Sequence, residues 1–126
     1  MRKLNILLVD DNPQFLKAAR NLIDAMPCVA GIECANSGVE ALAQIGQLNP
    51  DLVLTDVMMP EMSGFELIRK LRARSAPPRV VAVTLHDSAE YRAAVLRSGA
   101  EGLVSKREFV TLVPQLIASL SGTGSA

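Results

Sequence analysis

Asp10 and Asp11 stand together after an apolar run at 4–9, and Asp56 follows a second run at 52–55. Thr84 closes a third run, 80–83, and Lys106 follows a fourth, 103–105. Three carboxylates, a hydroxyl and an ammonium are the groups that hold a divalent cation and handle a phosphoryl group. Acids without nearby histidines suit a hard ion such as Mg²⁺, which keeps several waters and takes one or two carboxylates. Each residue alone has a plainer reading. The acid pair suits a helix N-terminus, Thr84 suits a strand, and Lys106 suits solvent. The chemistry therefore depends on whether the four runs end side by side.

Short apolar runs near 4–9, 29–35, 51–55, 80–84 and 102–105 alternate with helical patterns, the rhythm of βα units and a parallel sheet. Short right-handed crossovers then favour an α/β fold: a flavodoxin-like doubly wound (βα)5 domain with a five-stranded parallel sheet of order 2-1-3-4-5. Its topological switch lies between the first and third strands, which end in Asp10-Asp11 and Asp56. Open α/β sheets bind ligands at that crevice. The acids thus fall where the fold makes room for a ligand.

The helices have legible borders. Pro13 suits a first-turn position, and Phe15, Ala18, Ala19, Leu22, Ile23 and Met26 fall on one face of the first helix. Ser37 and Glu40 make a capping-box spacing for the second. The third covers roughly 64–74 and stops before Pro77-Pro78. The fourth starts at Asp87 or Ser88 and ends at Gly99. Pro114 lies inside the fifth, 108–120, and an interior proline costs about 3 kcal/mol. An irregular first turn, with the regular helix beginning near Pro114, is the expectation. One domain over 1–121 is expected, followed by a flexible tail or linker start at 122–126.

Lys+Arg and Asp+Glu both number 13, so no global field favours nucleic acid or an anionic membrane surface. Direct nucleic-acid binding is not expected. No apolar stretch approaches the roughly 18 residues of a membrane span, and the run after Arg2-Lys3 is too short for a signal-peptide core. Cys28 and Cys34 stand apart from any second pair or histidine, which reads as buried free thiols in a reducing cytoplasm.

The segments ILLVDDNP, DLVLTDVMMPEMSGFELIRKLR, VVAVT and GAEGLVSK together make the chain resemble the receiver domain of bacterial two-component response regulators. The stretch from Asp56 through Met59-Pro60 to Gly64 is the most specific of these. The resemblance implies that Asp56 is the phosphoacceptor and Asp11 a direct Mg²⁺ ligand. Asp10 would help to hold the ion, partly through water, and the backbone carbonyl of Met58 would be a further ligand. Thr84 would bind the phosphoryl group and Lys106 would pair with it. A sensor histidine kinase or phosphotransfer protein would be the donor, docking near Pro13, Gln14 and Lys17. The chain would catalyse only its own phosphorylation and dephosphorylation. An output domain or second receiver would be contacted through the fourth helix, fifth strand and fifth helix, with Tyr91, Val95 and the outer edge of Phe109, Leu112, Val113, Leu116, Ile117 and Leu120.

Three positions depart from that family's pattern. Leu103 stands where Phe or Tyr usually reports phosphorylation, and Leu85 where a very small residue usually follows the threonine. Arg107 stands where a cis proline usually follows the lysine. A non-proline cis bond costs about 3 kcal/mol, so the loop is either trans and reshaped or strained. His86, the single histidine, sits where family members tune dephosphorylation, although an exposed loop residue is its plainer reading. Two other functions fit parts of the pattern. A pseudo-receiver would bind partners without phosphorylation. An aspartyl-nucleophile phosphatase would want a second acid at position 12, where Asn12 stands.

Overall fold

The computed structural model describes residues 2–122. Of the tail expected over 122–126, only Gly122 falls among them. Five strands and five helices alternate: β1 (Leu4–Val9), α1 (Pro13–Asp24), β2 (Val29–Ala35), α2 (Gly38–Leu48), β3 (Leu52–Thr55), α3 (Gly64–Arg72), β4 (Arg79–Thr84), α4 (Ala89–Ser98), β5 (Gly102–Ser105) and α5 (Phe109–Ser121). All the strands pair in parallel, in the order β2-β1-β3-β4-β5. This is the flavodoxin-like arrangement the run spacing implies.

The inner strands β1, β3 and β4 are buried on both faces apart from Asn5 and Arg79, which is why they read as apolar runs, whereas the edge strand β2 exposes Ala30 and Glu33. Successive side chains point to opposite faces, and the core divides accordingly. Leu7, Val9, Val53, Val80 and Ala82 pack with Ala41 and Ile45 of α2, Leu67, Ile68 and Leu71 of α3, and Val95 of α4. Ile6, Leu8, Leu52, Leu54, Val81 and Val83 pack with Leu16, Ala19 and Ile23 of α1 and Phe109, Val113 and Ile117 of α5. On α1 the buried stripe contains Leu16, whereas Ala18 is exposed. Val95 belongs to the core rather than to an outer contact surface, and it is Leu96 that is exposed.

Local capping follows the sequence closely. Asn12 caps α1, with its side chain accepting from the backbone N–H of Gln14 and Phe15 ahead of Pro13. Ser37 accepts from the Glu40 N–H, and Glu40 Oε1 in turn accepts from the Asn36 N–H. Ser88 caps α4, which closes on Gly99 in the left-handed region at φ 112°. The fifth helix departs from expectation. A 3₁₀ turn, Lys106–Glu108, precedes it, and the α-helix runs unbroken from Phe109 through Pro114. Pro114 falls in the second turn and removes the N–H that would meet the Val110 carbonyl. Val110 is exposed, so solvent can satisfy that carbonyl and the helix need not restart.

Candidate functional site

Strand register assembles the site. Val9 pairs with Thr55, so the residues that follow them, Asp10 and Asp56, leave the sheet side by side. The Asp56 N–H donates to the Val9 carbonyl at 3.0 Å, fixing that juxtaposition. Thr84 pairs with Ser105, so Lys106 emerges beside the end of β4. β5 lies two strands from β3, roughly 9.5 Å at the usual interstrand spacing. A cation on a long stem can span that gap.

Lys106 Nζ lies 2.7 Å from Asp10 Oδ2 and 3.0 Å from Asp56 Oδ2. Asp56 Oδ1 accepts from the backbone N–H of Val57 at 2.7 Å and, more weakly, of Met58 at 3.3 Å. Asp10 Oδ1 accepts from the Asn12 N–H. Because Asn12 itself caps α1, the acid pair is not consumed in capping. One oxygen each of Asp10, Asp11 and Asp56 lies within 4.8 Å of the others, with Asp10 and Asp56 buried and Asp11 exposed. The second Asp10 oxygen, Oδ2, is buried and faces the Lys106 ammonium. An all-oxygen set of three carboxylates, two buried and one exposed, fits a hard divalent cation.

Burial raises the Asp10 pKa above its ordinary 3.8, against the lowering influence of Lys106. For Lys106, burial works against the charge, but its contacts with Asp10 and Asp56 outweigh that and raise its pKa. Asp10 is thus a carboxylate held in a place that disfavours its charge. In cation-free buffer, Asp10→Asn should therefore raise stability by about 1 kcal/mol, or the melting point by about 4 °C, since Lys106 keeps Asp56 as partner. The gain should be absent below pH 3.8 and should grow as pH rises through the raised folded-state pKa. Over that window the unfolded chain has already released the proton and the folded wild type has not. Thermal melts of both proteins against pH check this, and an unchanged or lower melting point at neutral pH would contradict it.

Thr84 is fully buried at the end of β4, and its Oγ1 accepts from the His86 N–H at 3.1 Å. The threonine is thereby tied to the loop leading into α4. Met58 is exposed at the side chain, where Sδ lies 3.7 Å from the Tyr91 hydroxyl. The Tyr91 ring stacks on Phe65 at 6.2 Å and meets the exposed His86 ring at 5.2 Å. Leu85 is also exposed. Leu103 is buried, and its carbonyl accepts from Arg92 Nη1 at 2.9 Å. Of the two forms open to the lysine loop, the trans one holds. No cis peptide occurs among the described residues, Ser105 Oγ caps the 3₁₀ turn by accepting from the Arg107 N–H, and Arg107 pairs with Asp87 at 3.3 Å.

Two contacts lie outside what the residue types suggest. Lys106 Nζ sits 4.4 Å from the centroid of the Phe15 ring, and Phe15 meets Phe109 edge-to-face at 5.3 Å. Phe15 reads in the sequence as one more apolar position of α1. Its distinguishing signal is only its place in the first turn after Asn12. Gly64 is the other case. A Cβ there would lie 2.0 Å from the Asp56 carbonyl oxygen and 2.5 Å from Val57 Cα. The glycine that ends the DVMMPEMSG stretch is needed because its backbone passes directly over that of the acidic strand end.

Residues 6–117 match the family described as the response regulator receiver domain. The nitrate/nitrite response regulator protein NarL of Escherichia coli is 34% identical over 101 residues, covering 80% of this chain and 47% of that protein. A protein-glutamate methylesterase/protein-glutamine glutaminase of Agrobacterium fabrum is 38% identical over 102 residues, covering 80% of this chain and 29% of that protein. The chain thus spans less than half the length of either relative. Among solved structures, the signal receiver domain of the putative response regulator NarL from Mycobacterium tuberculosis superimposes with a TM-score of 0.85 at 25% identity, covering 97% of this chain and 98% of that one. The receiver domain of the Arabidopsis thaliana histidine kinase CKI1, complexed with Mg²⁺ and BeF₃⁻, gives 0.74 at 27% identity, covering 94% of this chain and 91% of that one. With its sheet order, its acid cluster and this family match over most of its length, the chain belongs to the receiver domains of two-component response regulators.

Proposed function

We propose that the chain accepts a phosphoryl group on Asp56 from a phosphohistidine of a sensor kinase or phosphotransfer protein, and that residues 1–121 are the unit that does so. The convergence of Lys106 on both Asp10 and Asp56 carries this reading. An Asp56 carboxylate oxygen attacks phosphorus in line. The phosphorus–nitrogen bond breaks, its electron pair leaves on the imidazole nitrogen, and an aspartyl phosphate forms. Lys106 then shifts its charge toward a phosphoryl oxygen, and Thr84 turns its hydroxyl proton to another. Such transfer is mostly positioning and charge stabilisation. Asp10, Asp11, Asp56 and the Met58 carbonyl would hold Mg²⁺, which supplies further positive charge at the equatorial oxygens. Water later attacks phosphorus, releasing inorganic phosphate and restoring the carboxylate.

The His86 N–H bond to Thr84 links that event to the loop before α4, so a shifted Thr84 pulls on an element with two arrangements. An output domain or a second receiver is the natural reader of that shift, along α4, β5 and α5. No described helix is long and apolar enough to cross a membrane, and Cys28 and Cys34 are free thiols, the first buried and the second half-buried. The free thiols support a cytoplasmic site of action. A phosphatase reading finds no support at position 12, because the Asn12 side chain is occupied as the cap of α1.

Incubation with acetyl phosphate, read by intact mass, tests the proposal. One phosphoryl group should be added in Mg²⁺ and essentially none in EDTA. No addition from either acetyl phosphate or a kinase would leave an interaction module that works without phosphorylation.

A further inference from the structure

The proposed transfer asks Lys106 to release carboxylate oxygens and take up phosphoryl oxygens without losing its place. Its side chain is 12% exposed, yet its backbone leaves β5 into a 3₁₀ turn held on the outside by an exposed ion pair, Arg107 to Asp87. A four-carbon stem on such a turn has rotamer freedom to spare. Both charged partners of the ammonium are acids whose own bonding must change when a phosphoryl group arrives. The ammonium also lies over the Phe15 ring, 4.4 Å from its centroid.

A ring face attracts a cation through its quadrupole and competes for none of the ammonium's protons as a carboxylate does. It can hold Nζ while those protons exchange one set of oxygens for another. The ring is itself fixed. Phe109 meets it at 5.3 Å and 82°, and Phe109 is buried against the α1–α5 side of the sheet. Pro13 and the Asn12 cap fix the turn that carries Phe15, and the same loop presents Asp10 and Asp11. One loop thus delivers both the acids and the seat for the cation that balances them.

We propose that Phe15 is a positioning residue for phosphoryl transfer, its ring braced by Phe109 and holding the Lys106 ammonium beside Asp56. This rests on Asp56 being the acceptor. The test is the rate of phosphorylation of the full chain by acetyl phosphate in Mg²⁺, with melting points measured alongside. Phe15→Leu keeps apolar bulk and loses the ring. It should slow uptake about fivefold, equivalent to about 1 kcal/mol, whereas Phe15→Tyr should stay within about twofold of wild type. With Lys106→Met already in place, Phe15→Leu should cause no further slowing, which a merely structural role for the ring would not predict. The ε-methylene protons of Lys106 should also be ring-current shifted in the wild type and in Phe15→Tyr, and unshifted in Phe15→Leu. That reading survives even where Lys106→Met is too slow to time. Unshifted protons in the wild type, full-speed Phe15→Leu, or equal slowing by Phe15→Tyr would each overturn the assignment of Phe15 while leaving Asp56 as acceptor. A wild type that takes up no phosphoryl group from acetyl phosphate or from a kinase overturns both.

Discussion

Asp56→Asn is expected to gain no phosphoryl group from acetyl phosphate at any donor concentration, while remaining folded. The substitution is isosteric, and an asparagine oxygen can still accept from the Val57 N–H that now binds Asp56 Oδ1 at 2.7 Å. Its amide nitrogen would face Lys106 where Asp56 Oδ2 stands at 3.0 Å, but Lys106 keeps Asp10 at 2.7 Å. The melting point should therefore stay within about 5 °C of wild type. What disappears is the nucleophile, because an amide oxygen has neither the charge nor the basicity to displace the leaving group. A second readout comes from Tyr91, the one tyrosine in a chain without tryptophan. Its hydroxyl meets Met58 Sδ two residues beyond Asp56, and its ring packs on His86 and Phe65. Fluoroberyllate with Mg²⁺ should change tyrosine emission in the wild type and leave Asp56→Asn unchanged. Phosphoryl mass on Asp56→Asn would assign the acceptor elsewhere.

Gly64→Ala is expected to lower stability by about 3 kcal/mol, or the melting point by about 12 °C, and to slow phosphoryl uptake as well. The added methyl would meet backbone, the Asp56 carbonyl oxygen at 2.0 Å and Val57 Cα at 2.5 Å. No rotamer change relieves a clash between two main chains. The segment must open, at the expense of the Gly64 N–H bond to the Val57 carbonyl at 2.9 Å. Opening it moves the peptide that carries Asp56. Gly46 provides the contrast, since nothing lies within 4 Å of a Cβ there and the residue is inside α2. Gly46→Ala should stabilise by about 0.5–1 kcal/mol. Denaturant melts of the two variants check the pair, and equal effects would refute the packing argument.

The sheet order and the acid cluster were legible because both rest on short-range rules. Parallel strands buried on two faces must be apolar throughout, and the crossover rule then leaves few orders. Asp10, Asp56 and Lys106 became a site through register, which follows once the strands are placed. What stayed hidden depends on depth and direction. Phe15 occupies a helical stripe position like its neighbours, and only the fold sets its ring under a lysine from the other end of the chain. Val95 and Leu96 are both apolar and adjacent on α4, yet one is buried and the other exposed. Periodicity on so small a helix did not separate them. The mid-helix cost that Pro114 suggests in the sequence is relieved in the fold, because the carbonyl it leaves unmet belongs to exposed Val110.

The Arg2 N–H bonds the Ser121 carbonyl, so the entry to β1 and the exit of α5 share one corner of the domain. β1 then runs six residues, roughly 20 Å, before reaching Asp10. Chain attached beside Arg2 or Ser121 would begin at that corner, a full strand length from the acid cluster. If Asp56 takes up a phosphoryl group as proposed, the change would have to cross the body of the domain or be read by a partner gripping its flank. Chain leaving the domain beside Arg2 and beside Ser121 would start from neighbouring points, which suits a unit inserted into another chain without prising it apart.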